Sequence, residues 1–109
     1  MRTIMATPEQ IISLGRHKEH LAAQIIFNVK DWIDWFGSEG QFILAVKNNT
    51  SDTYYQPEIE RDGDFIIWKV TNYDTETVGL GRCELTYIKD NVVIKSCIYI
   101  FEVSENIIS

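Results

Sequence analysis

Short runs in which apolar and polar residues alternate, each closed by a turn signal, recur along this chain and constrain its fold more than any other feature. Leu21, Ala23, Ile25, Phe27 and Val29 form a wholly apolar set, interleaved with the mixed set Ala22, Gln24, Ile26 and Asn28. A period of two is that of a β-strand with one face buried. Phe42, Leu44 and Val46 repeat the pattern after Gly40. Between these runs, Asp31 to Gly37 reads as a single helical turn. Asp31 serves as N-cap, Trp32, Ile33 and Phe36 fall at helical spacing, and Gly37 is the stop.

Two tight reversals set the phase of the remaining strands. Asp62-Gly63 is a two-residue hairpin signal. Folding there sets Ile59 opposite Ile66, Pro57 opposite Trp68 and Tyr55 opposite Val70, an apolar face that a one-residue slip would spoil with Glu58 and Glu60. Pro57 cannot donate to a ladder, so strand 54–60 is expected at a sheet edge. Phe65 and Ile67 then point outward, opposite to Trp68, and need a cover.

Asp90-Asn91 suits a type I′ turn between strands 82–89 and 92–103. That register pairs Cys83 with Ile98, Leu85 with Ser96 and Tyr87 with Ile94. It sends Cys83 and Cys97 to opposite faces, so they are expected as free thiols. About six strands and one short helical turn make a mainly β domain. The expected fold is a single antiparallel β-sandwich, immunoglobulin-like or a flattened barrel, across residues 1–109. Residues 1–10 and 104–109 are expected as extended tails.

With 109 residues, 45% of them hydrophobic, the chain has enough apolar surface for one core without a metal or disulfide scaffold. A net charge of −6 and ten scattered basic residues argue against nucleic acid as a partner. No run approaches the ~20 apolar residues of a membrane span, so no membrane is expected. Met1–Gln10 holds no signal-peptide core, so synthesis in a cytoplasm without secretion by a signal peptide is expected. The overlapping acceptors at Asn48, Asn49, Thr50 and Ser51 read as a polar turn.

Catalytic patterns are missing from the sequence. His17 and His20 have no Cys or carboxylate cluster around them to complete a metal set, so neither metal nor cofactor is expected. No serine sits in a nucleophile elbow, and Cys97 has no basic neighbour. The carboxylates gather at turns (Asp52, Asp62, Asp64, Asp74, Asp90), where local hydrogen bonding is their usual work. Gly79-Leu80-Gly81 is too short for a phosphate loop and precedes a strand. The chain is therefore expected not to be an enzyme.

Aromatic residues offer the alternative of binding. Trp32, Trp35 and Phe36 crowd one turn, and Tyr54-Tyr55 sit in another. Trp and Tyr are favoured at interface hot spots. Candidate interface residues are thus Trp32, Trp35, Phe36, Tyr54, Phe65 and Ile67.

The segment 64–103 also carries a family pattern: Trp68-Lys69-Val70-Thr71, Asp74-Thr75, Gly79 to Tyr87, and Val92 to Ser96. Together with Leu14-Gly15-Arg16, the strand through Phe27, Asp31-Trp32 and the Asp62-Gly63 reversal, it resembles small phage tail proteins. They are similar to the N-terminal domain of the baseplate upper protein of siphophages of Gram-positive hosts. The resemblance covers roughly residues 11–103. It implies a bacteriophage or prophage virion protein of the tail or baseplate, joined to other tail proteins and assembled as a homo-oligomer. The alternative is a carbohydrate-binding module that stacks host cell-wall glycans on Trp32, Trp35, Tyr54 and Tyr55.

Overall fold

The computed structural model describes residues 1–48 and 50–105. Eight strands and one helix follow in the order β1 (Arg2–Met5), β2 (Ile12–Arg16), β3 (Ala23–Asn28), α1 (Lys30–Phe36), β4 (Gln41–Asn48), β5 (Glu60–Asp62), β6 (Phe65–Lys69), β7 (Gly79–Lys89) and β8 (Val92–Ser104). They form two four-stranded sheets, ordered β1-β3-β6-β5 and β2-β8-β7-β4. The inner faces meet in one core. Phe27 of one sheet packs edge-on against Tyr99 of the other at 5.0 Å, and Trp68 against Phe101 at 6.2 Å.

The expectation of a mainly β fold holds, but the sheets are not purely antiparallel. β1 runs parallel to β3, and β2 runs parallel to β8. The first ten residues are therefore not a tail, because Arg2–Met5 is an edge strand. At the other end Ser104 closes β8, and 106–109 lie outside the described residues. Asn49 does too; beside it, Asn48 Oδ1 accepts from the backbone and hydroxyl of Thr50, as a polar turn requires.

Alternation placed the core of β3 correctly: Ala23, Ile25, Phe27 and Val29 are buried. Leu21 is not part of that strand. Its φ of +56° turns the chain before β3 begins, and its side chain is exposed. In the helix, Val29 rather than Asp31 is the N-cap, and Asn28 Oδ1 accepts from the Lys30 backbone N–H. Gly37 closes the helix as expected, donating its N–H to the Ile33 carbonyl at 2.8 Å.

The first hairpin reverses one position later than the sequence suggested. Asp62 pairs with Phe65, so Gly63 and Asp64 form the turn, and Gly63 alone has positive φ, as in a type II′ reversal. Ile66 thus faces Arg61 rather than Ile59. Strand 54–60 does not form as a unit. Tyr55 crosses instead to the other sheet and bridges Val46, which takes Pro57 away from Trp68 and Tyr55 away from Val70.

The second hairpin turns at Asp90-Asn91 with both φ values positive, as expected. A bulge between Tyr87 and Ile88 then absorbs one extra residue, so that Cys83 faces Tyr99 and Leu85 faces Cys97. The expected pairs of Cys83 with Ile98, Leu85 with Ser96 and Tyr87 with Ile94 are displaced by one. Both cysteines consequently share the inner face as diagonal neighbours. They are free thiols, although not for the reason of opposite faces.

Candidate interaction surfaces

Asp74 is one of the two buried polar residues of the described chain, with Thr75. Trp68 is fully buried, and a buried indole N–H needs an acceptor. It donates to Asp74 Oδ2 at 3.2 Å. The same oxygen accepts from the Thr71 backbone at 2.8 Å and from the Thr71 hydroxyl at 3.2 Å, and Oδ1 accepts from the Tyr55 hydroxyl. Burial first, and the Asp74 hydrogen bond second, hold the Tyr55 phenol well above its ordinary range. Thr75 donates to the Glu19 carbonyl at 2.7 Å, and His20 Nδ1 accepts from the Asn72 backbone. The turn 71–76 is thereby bound to the 17–20 connection and to the loop carrying Tyr55. The place of Asp74 at a turn had pointed only to local hydrogen bonding. The missed signal was the spacing of Trp68, Thr71 and Asp74, three residues apart, beside an indole that must be satisfied.

This network forms the floor of a groove of about 470 Å³, walled by residues 55–60, Lys69, Tyr73 and Leu21. Two of its three acids are engaged, Asp74 as above and Glu60 with Lys69 at 3.2 Å, while Glu58 lies on the wall beside them. Among the described residues no group of three His, Cys, Asp or Glu side chains could hold a metal ion. His17 is half-buried and His20 exposed. Cys83 lies in the core, where burial, and then Cys97, push its thiol up to about 12.

The helix carries the aromatic cluster, and the structure divides it. Trp32 is 8% exposed, stacks beside Phe42 at 6.0 Å, and lies under the Lys95 ammonium at 5.4 Å. It is a core residue and not part of a surface. Trp35 is 81% exposed, and Phe36 is partly exposed beside it. The Tyr87 hydroxyl donates to the Gly37 carbonyl and accepts from Gly40 N–H, while Lys89 Nζ donates to the Phe36 carbonyl at 3.2 Å. These bonds fix the end of the helix on β7 and hold Trp35 outward on a rigid base.

Tyr54 is exposed, with Lys47 over its ring at 5.6 Å. Tyr55 is turned inward to Asp74. The four aromatics considered for stacking sugar are therefore not brought together: two face inward and two outward.

Phe65 and Ile67 do point away from the core, as alternation required, since the alternate residues Ile66 and Trp68 are buried. Cross-strand pairing sets Ile67 beside Ile26, and Ile26 beside Met5, to give an apolar row across the outer face of the first sheet. The outer face of the second sheet also carries exposed apolar residues, Leu80, Ile98 and Ile100. No helix of the described residues is long and apolar enough to cross a membrane.

No family model matches the sequence, and no curated protein matches it. The fold, in contrast, has a counterpart among solved structures. The N-terminal domain of ORF48 of phage TP901-1 superposes with a TM-score of 0.60, over 94% of this chain and 97% of that domain, at 9% sequence identity. At that identity the likeness is one of fold.

Proposed function

We propose that this chain is a non-enzymatic structural protein of a bacteriophage or prophage tail or baseplate. It acts in the virion as an adaptor, through contacts with other tail proteins and with copies of itself. The observation that carries this reading is the end-to-end likeness of fold to a domain of a phage protein. The residue resemblance in 11–103 points the same way. Two features of the surface support it further. Exposed apolar residues lie on the outer faces of both sheets, Met5 and Phe65 on the first and Leu80, Ile98 and Ile100 on the second, and Trp35 stands out on a clamped helix. Contiguous exposed apolar surface marks interaction sites, and a rigid tryptophan is a common hot-spot anchor. The buried Asp74 is saturated by structural donors, which fits a holding role better than a chemical one.

The test is capture of tail proteins from disrupted particles by the tagged chain, with identification by mass spectrometry. Wild type is expected to retain a tail component, and Trp35→Ala or Phe65→Ser to lose at least one, with unchanged thermal stability because both side chains are exposed. Recovery of no tail protein by folded wild type would overturn the reading.

A further inference from the structure

We propose that the outer face of β4, β7 and β8 takes a second copy of this chain, stacked sheet on sheet about a two-fold axis. The inference rests on the assembly reading above and names one of its surfaces.

Register places the outward residues of this face in rows. Arg82 lies between Lys47 and Ile100, and Glu84 lies between Ala45 and Ile98. Arg82 and Lys47 are thus like charges directly opposite each other, an arrangement that costs stability unless an anion faces it. Neither has an ion-pair partner among the described residues, and nor does Glu84. The other outer face differs in this respect, because its Lys69 is already neutralised by Glu60.

One symmetry operation pairs Arg82 with Glu84 twice over and lays Lys47, already over the Tyr54 ring, against the second copy's Ala45. A two-fold axis running across the strands at the level of Cys83 lays β7 antiparallel on its own copy. Arg82 then meets the second copy's Glu84, and Glu84 meets the second copy's Arg82. Ile98 meets Ile100, and Leu80 meets Thr86. Such an isologous contact uses each complementary pair twice.

The shape agrees with the charge. Lys47, Leu80, Arg82 and Ile100 line a depression of about 280 Å³. The rotation brings Glu84 and Ile98 of the second copy over it. About that axis β7 overlaps its copy over 79–87, β8 over 95–103 and β4 only over 44–48, a footprint of at most roughly 14 by 30 Å from the usual strand spacing and rise. That is small for a stable interface, so the free dimer is weak and becomes persistent where a larger assembly holds copies together.

Sedimentation equilibrium of the full chain tests this with two charge reversals. Wild type is expected to show concentration-dependent dimer. Arg82→Glu and Glu84→Arg alone are each expected to weaken it at least about tenfold, because each sets like charges face to face. An equimolar mixture of the two is expected to restore it, since one copy then presents two carboxylates to two cations. Ile98→Lys is expected to abolish dimer with no rescue by either. Wild type that stays monomeric to about 1 mM, reversals that dimerise like wild type, or a mixture that fails to recover would each overturn the proposal. A monomer that still captures tail proteins would remove this face while leaving the assembly reading intact.

Discussion

Removing the Asp74 carboxylate is the most informative perturbation of the fold. In Asp74→Ala, the buried Trp68 indole, the Thr71 backbone and hydroxyl and the Tyr55 hydroxyl all lose their acceptor. Hydrogen bonds to a charged group are worth about 1.5–3 kcal/mol each. Thr71 and Tyr55 are only part-buried and can turn to water, so only Trp68 bears the full loss. A net cost of about 3–4 kcal/mol follows, against a total of about 5–15 kcal/mol for a domain of ordinary stability. In thermal terms this is a fall of roughly 12–20 °C.

Asp74→Asn keeps one acceptor oxygen for Trp68 and Thr71, and its amide can donate to a rotated Tyr55 hydroxyl. It should cost about 1–2 kcal/mol, the charge assistance alone. Tyr55→Phe should cost about 1 kcal/mol. Urea titration followed by tryptophan fluorescence measures all three, and a double-mutant cycle between positions 55 and 74 isolates their coupling. A loss below about 1 kcal/mol in Asp74→Ala would refute the reasoning, as would an Asn variant no better than the Ala variant.

Burial of Cys83 predicts alkaline instability. The folded thiol keeps its proton up to about 12, against an ordinary value of 9.0 for a cysteine thiol. The contribution is fully present below about pH 9 and is lost as pH rises towards 12, since the unfolded chain then binds fewer protons. Urea midpoints measured from pH 8 to 11 should fall, with a flatter profile in Cys83→Ala. At pH 8, Cys97 should react with a thiol reagent in the folded protein, and Cys83 only on unfolding. Gly81→Ala should destabilise by about 1–3 kcal/mol, because a Cβ there would lie 2.3 Å from the Phe101 ring; a neutral result would contradict the tight seating of that ring. Trp32→Ala should cost about 3–5 kcal/mol in the same titrations, as a core truncation, whereas Trp35→Ala should stay within about 0.5 kcal/mol.

Alternation in β3, β4 and β6 was legible because each strand buries one face, which fixes the parity of every side chain. The Asp90-Asn91 turn was legible because its two residues tolerate positive φ. The bulge beyond it was not. Val92, Val93 and Ile94 are all apolar, so that stretch has no alternation to show where the extra residue enters. The N-terminal strand was missed for another reason. Arg2–Met5 is short, half polar and parallel to β3, so no hairpin partner exists in sequence against which to test its register. Tyr55 was sent to the wrong sheet because its bridge to Val46 and its bond to Asp74 are long-range choices that outcompete the local hairpin. Within the candidate surface, parity correctly turned Phe65 and Ile67 outward. It could not separate Trp32 from Trp35, since residues three apart on a helix share a side until the core claims one of them.

The proposed adaptor role is tested most directly by quantitative mass spectrometry of phage particles purified from the source whose genome encodes this chain. The account predicts the protein in intact tails, at a copy number that is a multiple of a rotational symmetry of the tail. Its presence only in the soluble fraction of the lysate, with complete infectious particles lacking it, would contradict the account.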